Sequence, residues 1–172
     1  EPTFRAALEA CEAAFRPHAS FSLLTELAAD PATSRLADID VVQPVLFALQ
    51  VALAALWRSW GLVPDAVLGH SMGEVAAAHI AGALSLADAA RIICTRSKLM
   101  RALSGRGAMA LVELSLADAQ TAIAPFPDTL SIAANNGPRA TVLSGDATAL
   151  NLVLATLTTQ NIFTRLIKVD VA

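Results

Sequence analysis

The sequence predicts an α/β chain in two parts, on three observations. The first is Gly69-His70-Ser71-Met72-Gly73, a G-x-S-x-G that follows an apolar run and precedes an alanine-rich helical pattern. The second is a change of grammar after Ser104-Gly105-Arg106-Gly107, from long helical stretches to short strands alternating with short helices. The third is the breadth of the apolar belt between Val45 and Trp60, which belongs to a largely buried helix. A length of 172 residues suffices for one ordinary domain, or one domain with a small insertion.

Taken in order, residues 4–15 carry acidic and apolar residues at helical spacing and read as an amphipathic helix. Residues 22–29 suit a second, short helix, broken at Asp30-Pro31, and residues 31–40 are loop-like. Pro44 suits the first turn of a helix that runs to about residue 60 and ends at Gly61. Ala66-Val67-Leu68-Gly69 is a short strand candidate, followed by the serine turn and a helix over residues 74–81. Ser85-Leu86-Ala87-Asp88 is a capping box that opens a helix to about residue 103. Beyond Gly107 come a strand (108–114), a helix opened by Ser115-Leu116-Ala117-Asp118 and stopped at Pro125, and a strand (130–134). Asn135-Asn136-Gly137-Pro138 reads as a turn, then a strand (140–144), a helix from Asp146 to about residue 160, and a last strand (163–171). This β-α-β-β-α-β order is the split βαβ, or ferredoxin-like, pattern. The predicted division is residues 1–105 and residues 106–172.

Composition excludes several function classes. Hydrophobic residues make up 55% of the chain, largely alanine and leucine, but neither long uncharged stretch (residues 41–57 and 147–164) is a convincing span of roughly 20 apolar residues. No basic segment leads into an apolar core at the N-terminus, so no signal peptide is expected. The net charge of −3 and the lack of a basic run argue against nucleic acid. Cys11 and Cys94 have neither metal nor redox spacing and read as reduced, packed thiols.

The chemistry gathers at the serine turn. On a sharp strand-to-helix turn the Ser71 Oγ stands clear of the backbone, and the Met72 N–H, at the start of the next helix, can donate to an oxyanion. Such a nucleophile needs a base and a substrate clamp. Of the three histidines, His70 points to the other face if the segment is extended. His79 lies about two turns up the following helix, roughly 12 Å along its axis, and His18 sits upstream of the serine. None is a good base. Arg96 is the candidate clamp, although a lone arginine on a helix is usually a solvated residue. Glu74 suits a helix start, His79 a packed helix position, and Met72 a pocket wall. Arg139 and Arg165 read as surface charges or as a carrier-protein or coenzyme A contact.

Several pieces in sequence order carry a family resemblance: Gln43-Pro44, Gly69-His70-Ser71-Met72-Gly73-Glu74, Ala76-Ala77-Ala78-His79, Ala81-Gly82-Ala83-Leu84-Ser85-Leu86, Arg96-Ser97-Lys98-Leu99-Met100, Ala134-Asn135-Asn136-Gly137-Pro138 and Val142-Leu143-Ser144-Gly145. With them the chain resembles the acyltransferase domain of modular polyketide synthases and, more distantly, malonyl-CoA:acyl-carrier-protein transacylases. The resemblance implies an incomplete α/β-hydrolase-like large subdomain beside the ferredoxin-like one. It implies that the serine matching Ser71 takes a malonyl-type group from coenzyme A and passes it to the phosphopantetheine thiol of an acyl carrier protein. The arginine matching Arg96, 25 residues on, would hold the free carboxylate, and the glutamine matching Gln43 would line the same pocket. His70 would shape the site without being the base. The family's catalytic histidine would follow closely on the strand that residues 167–172 resemble, and a strand with a Gly-Gln-Gly turn would precede Glu1, so these 172 residues alone are expected to be inactive. No permanently bound cofactor and no metal is implied. A cytoplasmic multidomain enzyme is. Met72 departs from the glutamine common in methylmalonyl-type domains, and Val171-Ala172 matches both extender signatures only at the alanine, so malonyl and methylmalonyl remain open. A serine hydrolase of the esterase or thioesterase type is the second reading, and a non-catalytic module the third.

Overall fold

A computed structural model describes residues 1–167. The chain forms two compact units, Glu1–Ala102 and the residues from Leu103 onward.

Among the described residues the first unit is helical: α1 (Pro2–Phe15), α2 (Leu23–Leu27), α3 (Ile39–Ser59), α4 (Gly73–Ile80) and α5 (Leu86–Ala102). The apolar faces of α1, α3 and α5 meet in one core built on Cys11, Phe15, Val41, Phe47, Ala48, Ala90 and Ile93. Alanine at the crossings lets the helices approach closely, and Phe15 and Phe47 fill the gap with ring centroids 6.1 Å apart. The α2 N-terminus is capped twice. Ser22 accepts from the Thr25 N–H, and the Glu12 carboxylate of α1 accepts from Leu23 N at 2.6 Å. At the start of α5, Ser85 Oγ accepts from the Asp88 N–H at 3.0 Å, one half of the predicted capping box, while the Asp88 carboxylate accepts from the Ser85 hydroxyl at 2.7 Å and not from the Ser85 N–H. Gly61 (φ +83°) ends α3 in a Schellman motif, with Leu62 N donating to Trp57 O and Gly61 N to Arg58 O.

Two expectations for this unit are corrected. Residues 66–69 do not form a strand. A strand is held by its neighbours' hydrogen bonds, and every strand among the described residues belongs to the other unit. Leu68 stands 93% exposed and Val63 74%, and Trp57 and Trp60, both half-exposed, meet edge to face. Pro44, expected in the first turn of α3, lies in its interior, because the helix begins at Ile39. Its missing N–H would face the Asp40 carbonyl. Packing sustains the extra turn: Val41 is fully buried, and the Asp40 carboxylate accepts from Arg101 on α5 at 2.5 Å. By length and composition α3 could cross a membrane, but half of its apolar window is buried, its core face lying against α1 and α5.

The second unit runs β1 (Ala108–Val112), α6 (Leu116–Ile123), β2 (Leu130–Gly137), β3 (Ala140–Gly145), α7 (Ala147–Thr159), β4 (Thr164–Leu166), the predicted order. The sheet is antiparallel throughout with strand order β2-β3-β1-β4. Alternation places Ala110, Val112 and Leu143 on one face, where Ala119, Ile123, Leu150, Val153 and Leu157 of α6 and α7 cover them. Ser115 and Asp146 cap the two helices through the N–H groups of Asp118 and Ala149. Asn135-Asn136-Gly137, expected as a turn, continues β2. Asn135 pairs with Thr141 and Gly137 with Ala140, leaving Pro138-Arg139 as the two-residue turn. Register shifts around residues 132–137 absorb the irregular run without ending the strand. The last strand, expected over residues 163–171, is seen as Thr164–Leu166, and residues 168–172 lie outside the described chain.

Candidate functional site

The serine turn is built by one glycine, Gly69, and by one unusual backbone conformation. Ser71 has φ +53°, in the left-handed region that non-glycine residues seldom occupy. Gly73 N donates to His70 O at 2.9 Å, Glu74 N to Ser71 O at 3.1 Å and Val75 N to Met72 O at 3.2 Å, so α4 starts directly from the turn. The Met72 N–H makes no such bond among the described residues, while the Met72 side chain packs against the helical core. Gly69 is required by close approach: a Cβ there would stand 2.3 Å from Glu74 N and from the carbonyl carbon and oxygen of Gly73. Gly73 has no such constraint, since a Cβ would meet only Gln50 Nε2 at 3.9 Å.

Three elements converge on Ser71. Arg96 on α5 donates from Nη2 to Ser71 Oγ at 2.9 Å and from Nη1 to Gln43 Oε1 of α3 at 2.5 Å. Gln43, 8% exposed, donates from Nε2 to Met100 Sδ at 3.4 Å. Ser71, Arg96 and Gln43, which the family resemblance puts in one pocket, are here one hydrogen-bonded group. Sequence reasoning gave Met100 no part in it, although helical spacing from Arg96 places the two on one face of α5. Below this group Arg101 binds Asp40 at 2.5 Å and Asp38 at 3.3 Å. Those hydrogen bonds and charges, Asp40's first, push its pKa up and keep it charged.

The histidines stand apart. His70 is exposed, with no side-chain bond to another described residue. His79 uses Nδ1 with Leu84 O at 3.0 Å and packs near Phe47, which ties the turn after α4 to the core. His18 offers its carbonyl to Lys98 Nζ. No histidine ring bonds Ser71 Oγ among the described residues. Nor do the described residues hold a group of three or more His, Cys, Asp or Glu able to bind a metal. Burial pushes both Cys11 and Cys94 up to about 11, which makes them packed thiols and not nucleophiles.

Residues 1–172 match the family model described as acyl transferase domain. The chain belongs to the acyl transferase domain family. Its relatives are polyketide synthases. Over 171 residues this acyl transferase chain is 47% identical to mycoketide-CoA synthase of Mycobacterium tuberculosis, covering 99% of itself and 4% of that protein. Among solved structures, the acyltransferase domain from module 8 of the salinomycin polyketide synthase is similar over the whole chain, with TM-score 0.94 and 40% identity. The acyl transferase chain covers 41% of that structure. The malonyl-CoA:ACP transacylase of Synechocystis sp. PCC 6803 is more distant, with 28% identity and TM-score 0.79 over 97% of this chain and 55% of that one.

Proposed function

We propose that this acyl transferase chain carries the acyl-accepting serine of a polyketide synthase module. In this reading it moves a malonyl-type group, malonyl or methylmalonyl, from coenzyme A to the phosphopantetheine thiol of an acyl carrier protein. The observation that carries the reading is the 2.9 Å contact between the Arg96 guanidinium and Ser71 Oγ. A fixed cation within one hydrogen bond of a hydroxyl on a nucleophile turn suits an acyl group that bears its own carboxylate. The contact favours an acyl group that carries a carboxylate, and the family match supports a thiol over water as its acceptor.

Ser71 Oγ attacks the thioester carbonyl carbon. The new C–O bond forms, the oxyanion is received by the Met72 N–H at the start of α4, and the C–S bond breaks with the Ser71 proton passing to the coenzyme A sulfur. In the second half the phosphopantetheine sulfur attacks the ester, the C–O bond breaks and Oγ regains a proton. Arg96 exchanges its bond to Oγ for a planar two-pronged grip on the substrate carboxylate. His70 shapes the rim of the site. Among the described residues no histidine ring bonds Ser71 Oγ, and His18, His70 and His79 are not assigned the proton transfer in this reading. Residues 1–105 are then the hydrolase-like part, supported by the left-handed serine leading into α4, and residues 106–172 the ferredoxin-like part, supported by strand order β2-β3-β1-β4. The setting is a cytoplasmic multidomain synthase with coenzyme A as substrate and no resident cofactor.

The test uses the full-length protein. Ser71→Ala is expected to abolish labelling by radiolabelled malonyl- and methylmalonyl-CoA, and undiminished labelling refutes the nucleophile. Arg96→Ala is expected to lose roughly 10- to 100-fold on carboxylated esters relative to acetyl-CoA, the worth of a charged hydrogen bond. Equal losses on both esters refute the clamp.

A further inference from the structure

We infer that Gln43 and Met100 are positioning residues that fix the guanidinium plane of Arg96, and that Gln43 acts on substrate only through that arginine. The inference rests on Arg96 being the carboxylate clamp. It departs from the expectation that Gln43 lines the pocket as a contact of its own. Gln43 is 8% exposed, and both polar atoms of its amide already have partners: Oε1 accepts from Arg96 Nη1 at 2.5 Å, and Nε2 donates to Met100 Sδ at 3.4 Å.

The amide has two orientations, and its surroundings select one. Turned over, its NH2 would face the guanidinium N–H groups, donor against donor. A thioether sulfur accepts weakly and has no proton to give, so Met100 favours the same orientation that Arg96 demands. Arg96 and Met100 lie one turn apart on α5, and Gln43 reaches both from α3. Holding Nη1 of a planar guanidinium sets the direction of Nη2, which here meets Ser71 Oγ at 2.9 Å. The frame beneath is also fixed. Arg101 ties α5 to Asp40 and Asp38 at the start of α3, one turn before Gln43. Gln43 itself precedes Pro44, a place where helical backbone is disfavoured, and the buried Val41 and Pro44 on either side hold this turn of α3 in the core.

The prediction is read as a ratio: kcat/KM for the carboxylated ester that the full-length protein takes, malonyl- or methylmalonyl-CoA, over kcat/KM for acetyl-CoA, with carrier protein as acceptor. Gln43→Leu is expected to lower the ratio roughly 10- to 100-fold, mostly through KM for the carboxylated ester. Met100→Leu keeps the volume and removes the acceptor, and is expected to lower the ratio about threefold to tenfold. Met100→Gln supplies a carbonyl acceptor and is expected to bring the ratio back to within about twofold of the parent protein. Equal losses on both esters in Gln43→Leu, with the ratio unmoved, overturn the inference and make Gln43 a structural residue. Should Gln43→Leu fail to fold, the Met100 pair decides: an unmoved ratio in Met100→Leu, or no recovery in Met100→Gln, overturns it. Arg96→Ala run alongside separates the two levels. If Arg96→Ala lowers the ratio and Gln43→Leu does not, positioning is overturned and the clamp stands. If Arg96→Ala leaves it unmoved, the clamp falls and the positioning pair with it.

Discussion

Ser71 occupies a left-handed backbone, φ +53°, a region that non-glycine residues seldom enter. The turn allows His70 O, Ser71 O and Met72 O to be met by successive N–H groups of α4 while Oγ faces Arg96. Its two glycines play unequal parts. At Gly69 a Cβ would meet backbone atoms at 2.3 Å, and backbone cannot yield as a flexible side chain can. Gly69→Ala is therefore expected to reduce labelling of Ser71 by acyl-CoA more than about 100-fold, since displacement of about 1 Å at a reacting group costs on that order. Gly73 is a helix residue with open space around it, and Gly73→Ala is expected to keep the melting temperature or raise it, by up to about 1 kcal/mol in stability. Thermal melts and labelling of the two variants side by side check both outcomes. A Gly73→Ala protein that failed to fold would show that the motif's second glycine has a role the local geometry does not contain.

The helices of the first unit carry Cys11 on α1 and Cys94 on α5 into one core, and desolvation pushes both thiols up to about 11, with the Lys98 charge pulling Cys94 slightly back. Values above the ordinary 9.0 mean that the folded state favours the neutral thiol. That stabilisation is complete below about pH 9 and is lost as pH rises through about 11. Urea midpoints are expected to fall between pH 8 and pH 10.5, and a Cys11→Ala, Cys94→Ala protein to lose that part of the decline. At pH 8 neither thiol should react with a disulfide reagent until the chain unfolds. The sequence made legible the elements whose signals are local: the serine turn, the capping boxes at Ser85 and Ser115, the stop at Gly61, and the β-α-β-β-α-β order. What it hid depends on contacts distant in the chain. Pro44 looked like a helix start because the Asp40–Arg101 pair, 61 residues apart, cannot be seen from Pro44. Residues 66–69 looked like a strand because alternation says nothing about whether a partner strand adjoins. In the site, Ser71 and Arg96 were legible as a motif and a spacing, but the bonds of Gln43 to Arg96 and Met100 arise only when α3 packs on α5.

At the scale of the molecule, two cores are joined by an exposed stretch, Leu103 through Arg106, with Gly105 within it and Gly107 next to it both at positive φ. Exposed, glycine-bearing backbone between packed units is the preferred place for proteolysis. Trypsin is expected to cut first at Arg106, before any site inside either unit, giving fragments that mass spectrometry can assign. A first cut within α3 or α7 would show that one of the cores opens more readily than the joint. The outward side of the first unit has a different bearing on how the protein behaves. Trp57, Trp60, Leu62, Val63 and Leu68 present apolar surface to solvent in one neighbourhood of sequence. Handled in dilute solution, such a surface is satisfied by whatever touches it: another copy, a detergent, a column matrix. Self-association that grows with concentration, read by sedimentation, is the behaviour expected of such a surface.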